Sequence, residues 1–235
     1  ALAINAGDAL HLLMWKVIKE NEKIVGRKKA DRIYKEFNVM LLRTAFGQTL
    51  DIKWIKRNEF DLEVEDVLFI AESKTGYYSI GGPMRLGAIL GGGSEEQLNH
   101  LYEFGKLTGY CYQIQDDLLD LTSTFGGRKE LIGNDIYESK RTVMLVHLLR
   151  NISKKDKPKL IEIMNETREE KNQQEVNWVI EKMEENGSIE FGRNQVKKYA
   201  NQAEEYFKEN LDFLEKEPAR GQIYSLLEFL KKRKY

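Results

Sequence analysis

The spacing of apolar residues most restricts the fold of this 235-residue chain. Apolar residues recur three or four positions apart over 9–19, over about 28–55 and again from Ser94 onward, which is the period of one buried helix face. Strict alternation of apolar and polar residues, typical of a half-buried strand, is nearly absent. Only three prolines occur. These features together predict an all-α fold.

Other segments extend this prediction along the chain. Shorter helices are predicted at 63–75 and 84–90, and Gly81-Gly82-Pro83 predicts a break in chain direction between them. The polar, glycine-containing stretch 123–134 predicts a loop, after which a helix resumes near Ile136. Charged helices follow at 156–166, 173–186, 188–214 and 220–233. Because no repeat or flexible linker separates these segments, we expect one all-helical domain over residues 1–235.

Charge, cysteine content and hydropathy restrict the function classes. The chain has 37 Lys and Arg against 38 Asp and Glu, so it lacks the excess of positive charge that nucleic-acid binding requires. The single cysteine, Cys111, cannot form an internal disulfide and suits a reducing compartment such as the cytoplasm. No apolar run reaches the roughly 18 residues that would predict a membrane span.

Three aspartates, Asp116, Asp117 and Asp120, are the strongest candidates for chemistry. With Gln113 they occupy positions i, i+3, i+4 and i+7, so on a helix they share one face over roughly 10 Å. Like charges at this spacing destabilise a helix, and a hard cation such as Mg²⁺ binds oxygen ligands of this kind. A solvated acidic patch at a helix end is the alternative, although the apolar and aromatic neighbours disfavour a fully exposed face.

The run Tyr112-Gln113-Ile114-Gln115-Asp116-Asp117-Leu118-Leu119-Asp120 resembles the second aspartate-rich motif of the trans-isoprenyl diphosphate synthases. That motif reads aromatic-Gln-Ile-x-Asp-Asp-x-Leu-Asp, and the family makes geranyl, farnesyl and geranylgeranyl diphosphates. The resemblance implies a helical bundle of the isoprenoid-synthase type around a central cavity. It also implies bound Mg²⁺ and places Tyr112 and Gln113 beside the substrate.

Two further segments match the family in chain order. The run 47–51 resembles its Gly-Gln-x-x-Asp element, in which a polar pair, here Gln48 and Asp51, faces the cavity. Taken alone, this pair is more simply a partly buried hydrogen-bonded couple. Lys74 and Thr75 resemble the family's Lys-Thr pair, whose ammonium reaches the allylic diphosphate and whose hydroxyl and carbonyl face the developing carbocation. Taken alone, Lys74 is more simply a surface lysine near a helix C-terminus.

A third segment, 133–142, resembles the family pattern Gly-x-Asp-x-x-x-Gly-Lys-x-Thr. The resemblance implies that Asp135 organises metal-bound water and that Lys140 contacts the allylic diphosphate. The segment Ala3–Leu10 also resembles the helix that follows the family's first aspartate-rich motif.

Two departures from the family pattern stand out. Lys129-Glu130-Leu131 occupies the place where many members have Gly-Lys-Pro, so one lysine contact with diphosphate is replaced or displaced. The first aspartate-rich motif and the residues that hold isopentenyl diphosphate are not in this sequence, and we expect that an N-terminal part of the family fold is missing. A second acidic group lies at 61–66, and its position at a helix start indicates capping instead of a replacement metal site.

The resemblance therefore predicts a cytoplasmic, homodimeric, Mg²⁺-dependent short-chain prenyltransferase that condenses isopentenyl diphosphate with an allylic diphosphate. The alternative is a non-catalytic or regulatory homologue that pairs with an active subunit. A helical bundle without ligand would require all the matching segments to be coincidence. The predicted site residues are, as catalytic groups, Lys74, Thr75 and Lys140; as substrate-binding groups, Gln48, Tyr112, Gln113, Lys74 and Lys140; and as metal ligands, Asp51, Asp116, Asp117, Asp120 and Asp135.

Overall fold

The structure, a computed structural model, describes residues 2–122, 132–215 and 217–232. Within these ranges it contains α-helices and one π-helix but no strand, so the all-α prediction is confirmed. The elements in chain order are α1 Leu2–Glu20, α2 Glu22–Val25, α3 Arg27–Lys56, α4 Val64–Ala71, the π-helix Glu72–Gly81, α5 Gly82–Gly91, α6 Glu95–Thr122, α7 Asn134–Tyr137, α8 Val143–Asn151, α9 Lys157–Asn165, α10 Gln173–Glu185, α11 Ser188–Asn210 and α12 Ala219–Lys232.

Helix starts that the sequence predicted are formed by the expected side chains. At the start of α6, the backbone N–H of Gln97 donates to Ser94 Oγ at 3.2 Å, and that of Ser94 donates to Gln97 Oε1 at 2.9 Å. These two bonds satisfy amides that the helix itself leaves without acceptors. At α4, the backbone N–H of Glu63 donates to Asp66 Oδ2 at 2.8 Å. The acidic group at 61–66 is therefore a capping group, as predicted.

The predicted break at Gly81-Gly82-Pro83 was wrong. α4, the π-helix and α5 follow one another without interruption from residue 64 to residue 91. Pro83 lies in the first turn of α5, and its missing N–H removes one bond at the junction, where the pattern changes from π to α. The glycine and proline signals therefore mark a change of helical register instead of a loop.

Glycines bring the π-helix into backbone contact with α6. A Cβ on Gly105 would lie 2.5 Å from the Cα of Gly81, and one on Gly109 would lie closer still to the Cα of Gly76. Residues five apart on a π-helix and four apart on an α-helix are each about one turn apart. The wider turn thus lets both glycines of the π-helix face both glycines of α6.

The hydrophobic core surrounds α6, which packs mainly against α11 and the π-helix. Phe104, Cys111 and Ile114 on α6 are almost completely buried, whereas α1 buries only Ile18. The predicted site residues of α6 thus stand on a helix that runs through the core. In the part of the chain that the structure describes, no helix is both long and apolar enough to cross a lipid bilayer.

Candidate active site

Five predicted site residues form one hydrogen-bonded network. Thr75 Oγ1 on the π-helix donates to Gln113 Oε1 at 2.6 Å, and Gln113 Nε2 donates to Asp117 Oδ1 at 2.9 Å, both on α6. Lys140 Nζ donates to Asp117 Oδ1 at 2.6 Å and to Asp135 Oδ2 at 2.9 Å. The network therefore joins the π-helix, α6, α7 and the segment before α8.

Lys74 has an ion pair of its own beside this network. Its Nζ donates to Asp51 Oδ2 on α3 at 3.2 Å, and Asp51 is 8% exposed. Gly47, one turn before Asp51, allows this approach because a Cβ there would lie 3.0 Å from Ser73 Cβ. The carboxylate of Asp51 is thus engaged with an ammonium contributed by the π-helix.

A cavity of about 780 Å³ adjoins Lys74 and Thr75 of the π-helix. Lys74 and Thr75 line it together with Gln48, and Leu41 and Trp15 contribute to its apolar wall. The volume lies in the usual range for small-molecule sites. Lys74 and Thr75 therefore belong both to the cavity wall and to the polar contacts behind it.

The predicted substrate-binding residues are not all at this cavity. Gln48 and Lys74 line it, and Gln113 reaches its border through the bond to Thr75. Tyr112, in contrast, is half-buried and packs against the main hydrophobic core. The structure thus places Tyr112 away from the cavity, although the next residue, Gln113, reaches the cavity border.

The three aspartates of α6 have three different environments. Asp116 is exposed, Asp117 is 2% exposed and is bonded to Lys140, and Asp120 is half-buried. Asp120 Oδ1 accepts the backbone N–H of Asn134 at 3.1 Å, and Oδ2 accepts that of Asp135 at 2.8 Å. Asp120 thus connects the end of α6 to α7.

The segment Lys129-Glu130-Leu131, which departs from the family pattern, lies outside the residues that the structure describes.

Negative charge is in excess around Lys140. Burial raises the pKa of Asp135 to about 6; Lys140 opposes this shift, while the charge of Asp117 adds to it. Burial likewise raises the pKa of Asp120, although two backbone amides oppose it. For Lys140, burial lowers the pKa, but Asp117 and Asp135 outweigh burial and the net shift is upward. Lys140 is therefore firmly cationic, and further positive charge would be favourable beside these carboxylates.

The five predicted metal ligands are not gathered at one point. Within the described ranges, no group of three or more His, Cys, Asp or Glu side chains has the arrangement of a metal site. Asp51 is engaged with Lys74, and Asp117 and Asp135 with Lys140. Mg²⁺, however, is often held by one or two carboxylates, waters and substrate phosphates. Asp116 and Asp120, one turn apart on α6, fit a site of that smaller kind.

Sequence reasoning missed the buried ion pair that supports the π-helix. Arg85 on α5 donates to both carboxylate oxygens of Glu36 on α3, at 2.7 and 2.9 Å, and Tyr77 Oη donates to Glu36 Oε1 at 2.7 Å. Glu36 is 5% exposed. Its one sequence signal was a charge between apolar positions of α3, which does not identify a partner 49 residues away.

Comparison with known proteins places these observations in a family context. The family model described as polyprenyl synthetase matches residues 1–183. A short chain isoprenyl diphosphate synthase of Methanothermobacter thermautotrophicus is 30% identical over 234 residues, covering 100% of this chain and 68% of that protein. One of Methanocaldococcus jannaschii with the same description is 30% identical over 166 residues, covering 69% of this chain and 48% of that protein.

A solved structure shows the same fold. The geranylgeranyl pyrophosphate synthase from Corynebacterium glutamicum, complexed with isoprenyl diphosphate and magnesium, aligns with a TM-score of 0.84 at 22% identity. The alignment covers 98% of this chain and 63% of that one. The chain thus spans between about half and about two thirds of the length of these relatives.

Proposed function

The chain belongs to the polyprenyl synthetase family, and from this premise we propose that it acts as a short-chain trans-prenyltransferase. The reaction joins isopentenyl diphosphate to an allylic diphosphate and gives a longer prenyl diphosphate plus diphosphate. The observation that carries the proposal is the position of Lys74 and Thr75, which line the large cavity and adjoin the charged network. An allylic diphosphate needs both an apolar space for its hydrocarbon and cations for its head group.

The hydrogen bonds of Thr75 suit the carbocation that forms when diphosphate leaves. Gln113 Nε2 donates to Asp117, which fixes the amide so that its oxygen faces Thr75. The hydroxyl of Thr75 therefore donates its hydrogen bond to Gln113, and the lone pairs of its oxygen remain available to a group in the cavity. We propose that these lone pairs stabilise the allylic cation, while the apolar walls exclude the water that would otherwise capture it.

The two lysines suit the leaving group. Diphosphate departs more readily when fixed positive charges face its oxygens in a site of low dielectric. Asp51 holds Lys74 at 3.2 Å, and Asp117 and Asp135 hold Lys140. Asp117 and Asp135 keep the Lys140 ammonium charged, and the three carboxylates restrict the directions of both ammonium groups. We therefore assign Lys74 and Lys140 to the diphosphate, and their carboxylate partners to positioning.

The proposed metal is Mg²⁺, held by Asp116 and Asp120 together with the diphosphate. Each oxygen of Asp120 accepts one backbone N–H and keeps a further lone pair for a cation. When bound, Mg²⁺ supplies charge neutralisation at the diphosphate oxygens. The raised pKa values of Asp120 and Asp135 support this assignment, because burial disfavours their ionised forms and a bound cation would offset that cost.

We also propose that residues 1–235 form one domain of a cytoplasmic homodimer. Large apolar side chains of α1 and α3 are exposed, among them Leu13 at 56%, Val17 at 66% and Phe46 at 56%. Clustered exposed apolar residues are typical of protein contact surfaces. Sedimentation of the full-length protein should give the mass of a dimer; a monomer at all concentrations would contradict the assembly.

Elongation by the purified full-length protein tests the proposed function. With Mg²⁺, isopentenyl diphosphate and allylic primers of several lengths, we expect longer prenyl diphosphates and released diphosphate. Asp116→Asn should lower the rate by about 10- to 100-fold, whereas Asp31→Asn, on the exposed surface of α3, should not. A wild-type protein that elongates no primer would contradict the proposal and favour a non-catalytic homologue of an active subunit.

A further inference from the structure

The residue before Lys140 has an unusual backbone conformation. Ser139 has φ +54°, in the left-handed region that residues with a Cβ seldom adopt. Neighbouring backbone bonds enclose it, because Ser139 N–H donates to Ile136 O at 3.0 Å and Lys140 N–H donates to Asp135 O at 2.9 Å. The tight turn returns the chain toward α6, where Lys140 meets Asp117.

A buried lysine from another part of the chain is bonded to this turn. Lys171, between α9 and α10, is 6% exposed. Its Nζ donates to Ser139 Oγ at 2.6 Å, to Glu166 O at 2.6 Å and to Tyr137 O at 3.2 Å. We call Lys171 and these three acceptors the Lys171 clamp. All three acceptors are neutral oxygens, so no carboxylate is hydrogen-bonded to this ammonium within the described residues.

An ammonium in such a place is costly. Burial lowers the pKa of Lys171, which is the expected penalty for removing a cation from water. An apolar side chain of similar length would fill the same space without that cost. The ammonium is therefore more than packing, and what it adds is three directed hydrogen bonds between the turn at 137–139 and the turn at 166–171.

Two arginines next to the clamp also hold the segment that carries Asp135 and Lys140. Arg141 Nη1 donates to Ser139 O at 2.6 Å, so the left-handed residue is held at both its side chain and its carbonyl. Arg168 donates to Asn134 Oδ1 at 2.9 Å and pairs with Glu138. The segment that carries Asp135 and Lys140 is thus held from outside the site by residues around 166–171.

We propose that Lys171 and Ser139 are positioning residues, whose contact keeps Ser139 left-handed and thereby directs Lys140 toward Asp117 and the allylic diphosphate. This inference rests on the proposed function, since only that function gives Lys140 its diphosphate. A right-handed or extended Ser139 would send Lys140 away from α6. The clamp acts through backbone geometry, and neither residue touches the substrate.

A pair of substitutions at Ser139 separates this role from simple stabilisation. Ser139→Ala and Ser139→Gly both remove the hydroxyl that Lys171 binds. Glycine adopts positive φ without steric cost, whereas alanine does not. We expect Ser139→Gly to stay close to wild type in kcat and in KM for the allylic diphosphate. Ser139→Ala should lose about fivefold or more in kcat/KM for that substrate and leave the KM for isopentenyl diphosphate unchanged.

Substitution at Lys171 tests the other half of the contact. Lys171→Met in the full-length protein should lower kcat/KM for the allylic diphosphate by about 10- to 100-fold. Adding Ser139→Gly should restore a large part of this loss, because the turn no longer needs support. The matched control is Lys155→Met, at an exposed lysine in the turn between α8 and α9, and it should behave as wild type.

Several results would overturn the inference. These are equal activities of Ser139→Ala and Ser139→Gly, an unaffected Lys171→Met, or a defect of Lys171→Met that Ser139→Gly leaves unchanged. If Lys171→Met does not fold, the Ser139 pair alone decides. If the wild type elongates no substrate, the proposed function fails. The clamp is then tested by amide hydrogen exchange over 134–142. Exchange there should be faster in Ser139→Ala than in Ser139→Gly, and equal rates would refute the clamp.

Discussion

The site has two sides that are held in place by different physical means. On the cavity side, glycines bring the π-helix into backbone contact with α6 and so set Thr75 against Gln113. On the other side, Lys140 is held by Asp117 and Asp135, two carboxylates with little solvent around them. The first side depends on shape and the second on charge. They should therefore respond to different perturbations, added volume in one case and altered charge in the other.

Added volume at Gly109 should give the largest effect. In Gly109→Ala, the new Cβ would overlap the backbone of Gly76, which no rotamer change can relieve. Because backbone atoms must move, we expect the free energy of unfolding to fall by more than the usual cost of about 1–3 kcal/mol for an overpacked core. Elongation should fall by roughly 100-fold or more as Thr75 moves from Gln113. Denaturant unfolding and steady-state kinetics measure the two quantities.

The matched control is Gly87→Ala on α5, where a Cβ would meet nothing within 4 Å. Helix propensity favours alanine there by about 1 kcal/mol, so stability should be equal or slightly higher. If Gly109→Ala behaves like this control, shape does not hold the cavity side.

Removal of charge at Lys140 should come next. Lys140→Met leaves Asp117 and Asp135 buried together without their cation, and breaking a buried pair costs about 3–5 kcal/mol. Because Lys140 keeps some exposure, we expect the lower end of that range, with activity reduced by about 100-fold. Lys155→Met serves as the exposed control. Unchanged stability at neutral pH would show that charge does not hold this side.

Loss of one hydroxyl on the cavity side should have a smaller effect. Thr75→Val keeps the shape but leaves the half-buried Gln113 Oε1 without its donor, which costs about 1 kcal/mol. We expect kcat to fall by about tenfold with the KM for isopentenyl diphosphate unchanged. Thr75→Ser retains the hydroxyl and should recover most of the rate; a serine variant as slow as the valine variant would contradict the role of the bond.

The smallest expected effect is a pH dependence confined to the charged side. The folded-state pKa of Asp135, about 6, lies above its ordinary value of about 3.9. The folded protein therefore binds this proton more tightly, and stability falls as pH rises between about 4 and 6. Asp135→Asn should remove that part of the slope, as seen in urea unfolding at several pH values. An unchanged slope in the variant would refute the assignment, and Thr75→Val should leave the slope as in wild type.

Local patterns in the sequence predicted local features well. The Ser94 cap, the shared helix face of Gln113 and Asp117, and the capping role of the acidic group at 61–66 depend on neighbours three or four positions away. Helix period and capping chemistry determine such contacts directly. The same reasoning identified α3 and the charged helices at 156–233 with errors of only a few residues.

The features that the sequence did not predict depend on partners far along the chain. The π-helix replaces a predicted turn because Gly76 and Gly81 pack on α6, more than 20 positions away. Asp51 is paired with Lys74, and Ser139 is bonded to Lys171, at separations of 23 and 32 residues. Motif resemblance identified residues that the network joins, but which carboxylate meets which lysine follows from tertiary packing.

The central claim is that both sides form one site for the allylic diphosphate, and a double-mutant cycle tests it most directly. Binding of a non-reactive thiolo analogue of an allylic diphosphate with Mg²⁺ is measured calorimetrically for wild type, Thr75→Val, Lys140→Met and the double variant. If both sides hold one ligand through the Gln113–Asp117 connection, the two losses should differ from additivity by about 0.5 kcal/mol or more. Losses that simply add, or an analogue that the wild type does not bind, would contradict the claim.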